Sequence, residues 1–252
     1  DEQARAIASC DLPFYLAPGT ATWRSFTGRL PNALVNVRSA VTAGLAHDAT
    51  GILLTSWGDC GNHQPWPALY PTLLQTAGLS WNLTSDPEAE LVPLLDHFLF
   101  PNETNTPSQA LLELGHLDLS LGPKIVNASL PWLLAFSDQP EKLPDLLQEK
   151  YPNENLQDAQ EQLGQLRGTL SSLTESSASG SLIANELLLG LDLSALALAH
   201  GQKLMGSNSP NNLPPSREFP ARYENLWLKR ARPGGLPESL DLLEKALARF
   251  RG

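Results

Sequence analysis

Residues 51–67 read GILLTSWGDCGNHQPWP. The stretch opens as an apolar strand and breaks into a loop holding two Trp, an Asp, a Cys, a His and two Gly. On a strand, positions i and i+2 face the same side, so Trp57 and Asp59 are expected to face one pocket from the strand end. An indole offers a flat apolar face to the C–H side of a sugar ring. A carboxylate beside it accepts hydrogen bonds from two neighbouring hydroxyls. An apolar wall with a few placed polar groups is the usual makeup of a small-molecule site. The competing reading makes Trp57 a core aromatic and Asp59 a turn former before Gly61, and both readings stay open at this level.

Working outward, residues 12–17, LPFYLA, form a second short apolar run that ends at Pro18-Gly19, a strand followed by a turn. The loop after it places Thr20, Thr22 and Trp23 at that strand's end; the plainer alternative is a tight turn with the Trp folded over a rim. Arg24 and Arg29 read as solvated or paired with surface acids. Residues 32–44 carry Leu34, Val37 and Val41 at helical spacing, with Asn32 as N-cap and Gly44 as C-cap. Residues 71–81 repeat the pattern with Leu73, Leu74, Ala77 and Trp81. Strand, helix, strand, helix is the order of a parallel α/β unit. Such units place ligand loops after the carboxyl ends of their strands, where both unusual loops lie.

From about residue 84 the pattern becomes helical. Asp86-Pro87-Glu88 reads as a helix start with Ser85 or Asp86 as cap. Further helices are expected over 108–114, 130–136, 143–151, 155–173, 181–204 and 237–250, and a loop over 206–220. The chain therefore divides into an α/β part, 1–83, and an α-helical domain, 84–252, packed behind it.

Composition narrows the function classes. The 252 residues are 42% hydrophobic and 17% charged, enough to bury a large core. The formal net charge of −10 argues against nucleic-acid or anionic-membrane binding driven by bulk charge. Two cysteines, Cys10 and Cys60, make no disulfide framework, and two free thiols is the simpler reading. Cys60 and His63 have C-x-x-H spacing beside Asp59, but zinc needs further ligands, so neither metal nor other cofactor is expected. No nucleophile elbow, P-loop or dinucleotide fingerprint occurs. No leader is recognisable at the start, and apolar runs such as 187–199 look too short to span a bilayer, so a cytoplasmic location and no membrane contact are expected.

Residues 13–37, PFYLAPGTATWRSFTGRLPNALVNV, and 51–82, GILLTSWGDCGNHQPWPALYPTLLQTAGLSWN, resemble the last two βα units of a family 20 glycoside hydrolase barrel. That family contains the β-N-acetylhexosaminidases. The resemblance rests on PGT-x-x-W-x-S, GR-x-x-NA, T-x-WGD-x-G and the QP before the last barrel helix. Residues 226–239, LWLKRARPGGLPES, are similar to the tail of members with a helical C-terminal domain. The resemblance implies a (β/α)8 barrel that removes terminal N-acetylglucosamine or N-acetylgalactosamine from glycans. It implies retaining, substrate-assisted catalysis, an exception to the scheme with a carboxylate nucleophile. In that frame Trp57 walls the sugar pocket, Asp59 binds outer hydroxyls, Trp23 is a second aromatic, and Thr20 and His63 stand at the edge.

The family's Asp-Glu catalytic pair lies on an earlier strand, and no segment here matches it. No catalytic residue is therefore assigned. The expectation is the C-terminal portion of a longer enzyme, inactive in isolation, partnered by N-acetylhexosamine-containing glycans and the rest of the barrel, with a homodimer as a further option. The alternative is a non-catalytic carbohydrate- or protein-binding module with a degenerate site.

Overall fold

A computed structural model describes residues 2–84, 88–101, 106–175, 178–208, 210 and 213–251. Among these the chain is mostly helical, with two short parallel strands. The helices are α1 (Glu2–Ala8), α2 (Leu30–Ala46), α3 (Tyr70–Trp81), α4 (Leu91–Leu99), α5 (Thr106–Gly115), α6 (Leu117–Leu121), α7 (Leu130–Phe136), α8 (Leu143–Lys150), α9 (Asn153–Ser172), α10 (Ala178–Leu204), α11 (Phe219–Arg230) and α12 (Leu236–Arg251). Strand β1 is Tyr15–Leu16 and β2 is Gly51–Ile52.

The strands pair in register Tyr15↔Gly51 and Leu16↔Ile52, with a further parallel bridge at Gly19↔Thr55. Around this ladder the Leu53 amide donates to the Leu16 carbonyl and the Thr50 amide to the Phe14 carbonyl, both at 2.8 Å. The Thr55 amide reaches the Pro18 carbonyl and the Thr20 amide reaches the Thr55 carbonyl, both at 2.9 Å. The pairing thus extends past the two residues of regular strand geometry in each segment but stops short of Trp57, which the sequence puts at the strand end. It ends at Thr55, so Trp57 and Asp59 lie in a loop and not on strand positions; the i, i+2 argument does not govern them.

Helix α2 begins two residues before Asn32 because Pro31 occupies its first turn, where its fixed φ suits the helix and its missing N–H costs nothing. The helix also runs through Gly44. That glycine lets the sheet approach: an added Cβ would come 3.3 Å from Leu16 and 3.6 Å from Ile52. Val37, Val41 and Leu79 form a small cluster there, joined by Ile52, Leu54 and Leu83.

The larger core crosses the 83/84 boundary. Phe26, Leu30 and Leu34 pack in one cluster with the apolar faces of α4, α5 and α7 to α12. At its centre is α10, buried along most of its length and packed by α7, α9, α11 and α12. Residues Ser179–Leu204 are long and apolar enough to cross a membrane, contrary to the expectation from shorter runs, and 89% of their most apolar window is buried inside the protein. A core helix passes the same test.

Helices α8, α9, α10 and α12 fall close to where periodicity puts them. The helix expected to start at Asp86-Pro87 has its proposed cap outside the described residues. Helices α1, α6 and α11 were not expected. Helix α11 hides because Pro220 reads as loop punctuation while it occupies the first helical turn.

Candidate functional site

The two unusual loops meet at the carboxyl end of the parallel pair. The Thr55 side chain is the junction. Its Oγ1 donates to the Pro18 carbonyl at 3.1 Å and accepts from Trp57 Nε1 at 3.0 Å. On the other side of the junction the six-membered ring of Trp23 packs against Gly19. A Cβ there would sit 2.7 Å from the ring and 3.7 Å from Thr55 Oγ1. Gly19 is held in place by α2, through its amide and Asn36 Oδ1 at 3.1 Å. The structure therefore brings Trp57 and Trp23 to one strand end. Trp57 is 57% exposed, so its indole faces solvent and is not sealed in the core. Asp59 is also exposed, two residues further on.

Thr20 and Thr22 sit beneath this surface. They are buried, and their hydroxyls face each other at 3.0 Å. Arg24 is half-buried and Arg29 is buried. Arg24 lies over the Trp132 ring at 4.4 Å, and Arg29, 7% exposed, lies over Trp23 at 5.0 Å. Their planar guanidinium groups stack on indole faces, a geometry that supports burial of an arginine better than that of a lysine.

His63 turns away from the two indoles into the protein. Its ring stacks on Phe136 with centroids 4.7 Å apart and tilts against Tyr223 at 5.3 Å. Its Nε2 lies 3.0 Å from the Ser239 carbonyl on α12. Burial pulls its pKa down to about 4, partly opposed by the backbone of Ser239 and Cys60, so it is neutral at physiological pH.

The loop between Trp57 and His63 is tightly wound. Cys60, Gly61 and Asn62 all have left-handed φ, at 57°, 106° and 54°. Such backbone persists only where its surroundings hold it. Here the Ser239 hydroxyl donates to the Gly61 carbonyl. The Tyr223 hydroxyl lies 3.1 Å from the Gly61 carbonyl, 3.2 Å from that of Asn62 and 2.7 Å from Ser239 Oγ. Gln64 Nε2 closes the loop onto the Trp57 carbonyl at 2.7 Å. Burial pushes the Tyr223 pKa up to about 12, with the Ser239 bond opposing, so the hydroxyl stays protonated.

Sequence reasoning missed Tyr223, Ser239, Glu186 and Arg230. Part of the signal was in the tail. Within residues 226–239, Arg230 grips buried Glu186 of α10 through two bonds of 2.8 and 2.7 Å, and Trp227 Nε1 donates to the Arg232 carbonyl at 2.8 Å. Ser239 ends the same stretch on the Gly61 loop. The tail is the brace that holds the Trp57–His63 loop in shape.

Arranged this way, the carboxyl ends of the two strands carry two indoles, with an exposed carboxylate in the loop that follows Trp57. Cys10 and Cys60 are free and exposed. Compared with known proteins, the sequence matches no family model, and no curated protein matches it.

Proposed function

We propose that this chain supplies the sugar-pocket wall and helical domain of a family 20 glycoside hydrolase, a β-N-acetylhexosaminidase acting on terminal N-acetylglucosamine or N-acetylgalactosamine. Its two strands would be the last two of a (β/α)8 barrel. The observation that carries the reading is the junction at Thr55, which joins the exposed Trp57 and the Trp23 loop at the carboxyl ends of adjacent parallel strands. That is where such barrels bind substrate. The exposed Tyr15 and Leu53 on the strand pair also fit a sheet that continues, because parallel sheets are normally covered on both faces.

In this reading Trp57 stacks on the apolar face of the terminal sugar, Asp59 accepts from its outer hydroxyls, and Trp23 closes the pocket floor. The acid that protonates the leaving oxygen, and its neighbour that orients the acetamide, come from an earlier strand. A sugar-binding module without turnover is the second reading, in which the same two indoles and carboxylate hold a sugar.

Assay of the natural full-length polypeptide with 4-nitrophenyl N-acetyl-β-D-glucosaminide separates the two. Release of 4-nitrophenol with retained anomeric configuration supports the hydrolase. Hexosamine binding without release supports the module. Neither binding nor release would sink both.

A further inference from the structure

A cavity of about 280 Å³ opens between the start of α2, the helix α6 and the loop leading to α7. Arg29, Asp118, Lys124 and Tyr151 line it with Leu121 and Ile125. Arg29 is more than nine-tenths buried, yet its Nε has no hydrogen-bond partner and its Nη2 makes only a long bond, 3.5 Å, to the Trp23 carbonyl. Buried donors without acceptors are costly, more so on a charged group. No ion pair joins Arg29 to Asp118 among the described residues, although both face the same space.

We propose that this cavity binds a small monocarboxylate with an apolar body. The guanidinium fork matches a carboxylate in shape and charge. Lys124 adds positive charge at the mouth, and Leu121 and Ile125 supply apolar wall. Tyr151 is committed elsewhere, its hydroxyl donating to the Pro123 carbonyl at 2.8 Å. Asp118 decides the pH behaviour. Burial pushes its pKa up to about 7, opposed by Arg29 and by the Leu130 backbone. Below that pH its carboxyl is protonated and donates to the ligand; above it, two carboxylates repel. The titratable and charged groups facing Asp118 are Arg29, just before α2, and Tyr151 at the end of α8, with Lys124 lining the same cavity. A dianionic phosphate fits less well, because it would set more negative charge against Asp118 within an apolar wall.

The probe is benzoate, followed by calorimetry and saturation-transfer NMR, with benzamide as the uncharged control. Benzoate stays ionised from pH 6 to pH 8. One saturable site is expected, at least about fivefold tighter at pH 6 than at pH 8, with benzamide much weaker. Arg29→Met should weaken binding by about tenfold or more. Asp118→Asn should keep binding and remove its pH dependence. Because Arg29 is buried and its variant can unfold, Val126→Trp gives an independent test: Val126 lines the cavity, is 86% exposed, and a Trp there should block entry without disturbing the core. Failure of benzoate to saturate at pH 6, equal binding of benzamide, tighter binding at pH 8, or full binding to Val126→Trp would each overturn the proposal.

Discussion

His63 Nε2 sits 3.0 Å from the carbonyl oxygen of Ser239, 176 residues further along the chain. The contact ties the loop after β2 to α12. Around it Phe136 and Tyr223 close the His63 ring from α7 and α11. The loop that carries Trp57 and Asp59 thus owes its shape to the helical region, and disturbing that brace should disturb the loop.

Tyr223→Phe keeps the ring packing and removes the hydroxyl that faces the Gly61 and Asn62 carbonyls. Equilibrium urea unfolding should record a loss of about 1–2 kcal/mol. The Trp57 indole signal in ¹H–¹⁵N spectra should shift as well. An unaltered Trp57 environment would mean that the brace does not reach the loop.

Stability should fall in acid through His63. Its folded pKa, about 4, lies below the ordinary value of 6.5, so the unfolded chain binds the proton more readily. The contribution is complete above pH 6.5, declines as pH falls toward 4 and is flat below. Its full size is about 3 kcal/mol. Unfolding of His63→Phe across this range should lack that part of the acid sensitivity; an identical pH profile would contradict the assignment.

Arg230→Ala leaves the buried Glu186 carboxylate without its two-bond partner. Removal of one member of a buried pair costs about 3–5 kcal/mol. Replacing both, as Glu186→Leu with Arg230→Met, should recover much of that loss, and the difference can be read from thermal and urea unfolding. A single substitution as mild as the double one would place the pair outside the load of the core.

Gly190 lies where α10 meets the loop before α2. An added Cβ would stand 2.1 Å from the Phe26 carbonyl oxygen. Gly190→Ala should therefore destabilise by more than about 2 kcal/mol despite alanine's better helix propensity. A neutral or stabilising result would show that α10 and the Phe26 loop do not touch so closely.

The sequence made the local elements legible where periodicity was strong. The apolar stripes of α9 and α10, the strand–turn signals at Pro18-Gly19 and the helix at 71–81 all follow from side-chain spacing and turn chemistry. Helix α11 was hidden because one residue, Pro220, serves equally as a loop signal and as a first-turn residue. For the site, Trp57 and Trp23 could be placed at strand ends because chain order fixes strand ends. The direction of His63 could not, since it depends on Ser239 and Tyr223, both more than 150 residues away and paired only by tertiary packing. The burial of Arg29 was illegible for the same reason: its shelter is the Trp23 ring, and stacking leaves no mark in residue spacing.

The most direct test of the sugar-pocket reading is kcat/KM for 4-nitrophenyl N-acetyl-β-D-glucosaminide, measured on the natural full-length polypeptide and its Asp59→Ala variant. Asp59 is exposed and lies outside the packed brace, so the variant should fold normally. A fall of about 100-fold or more is expected, the loss of roughly 2.7 kcal/mol of transition-state binding. Equal kcat/KM in the two proteins would contradict it.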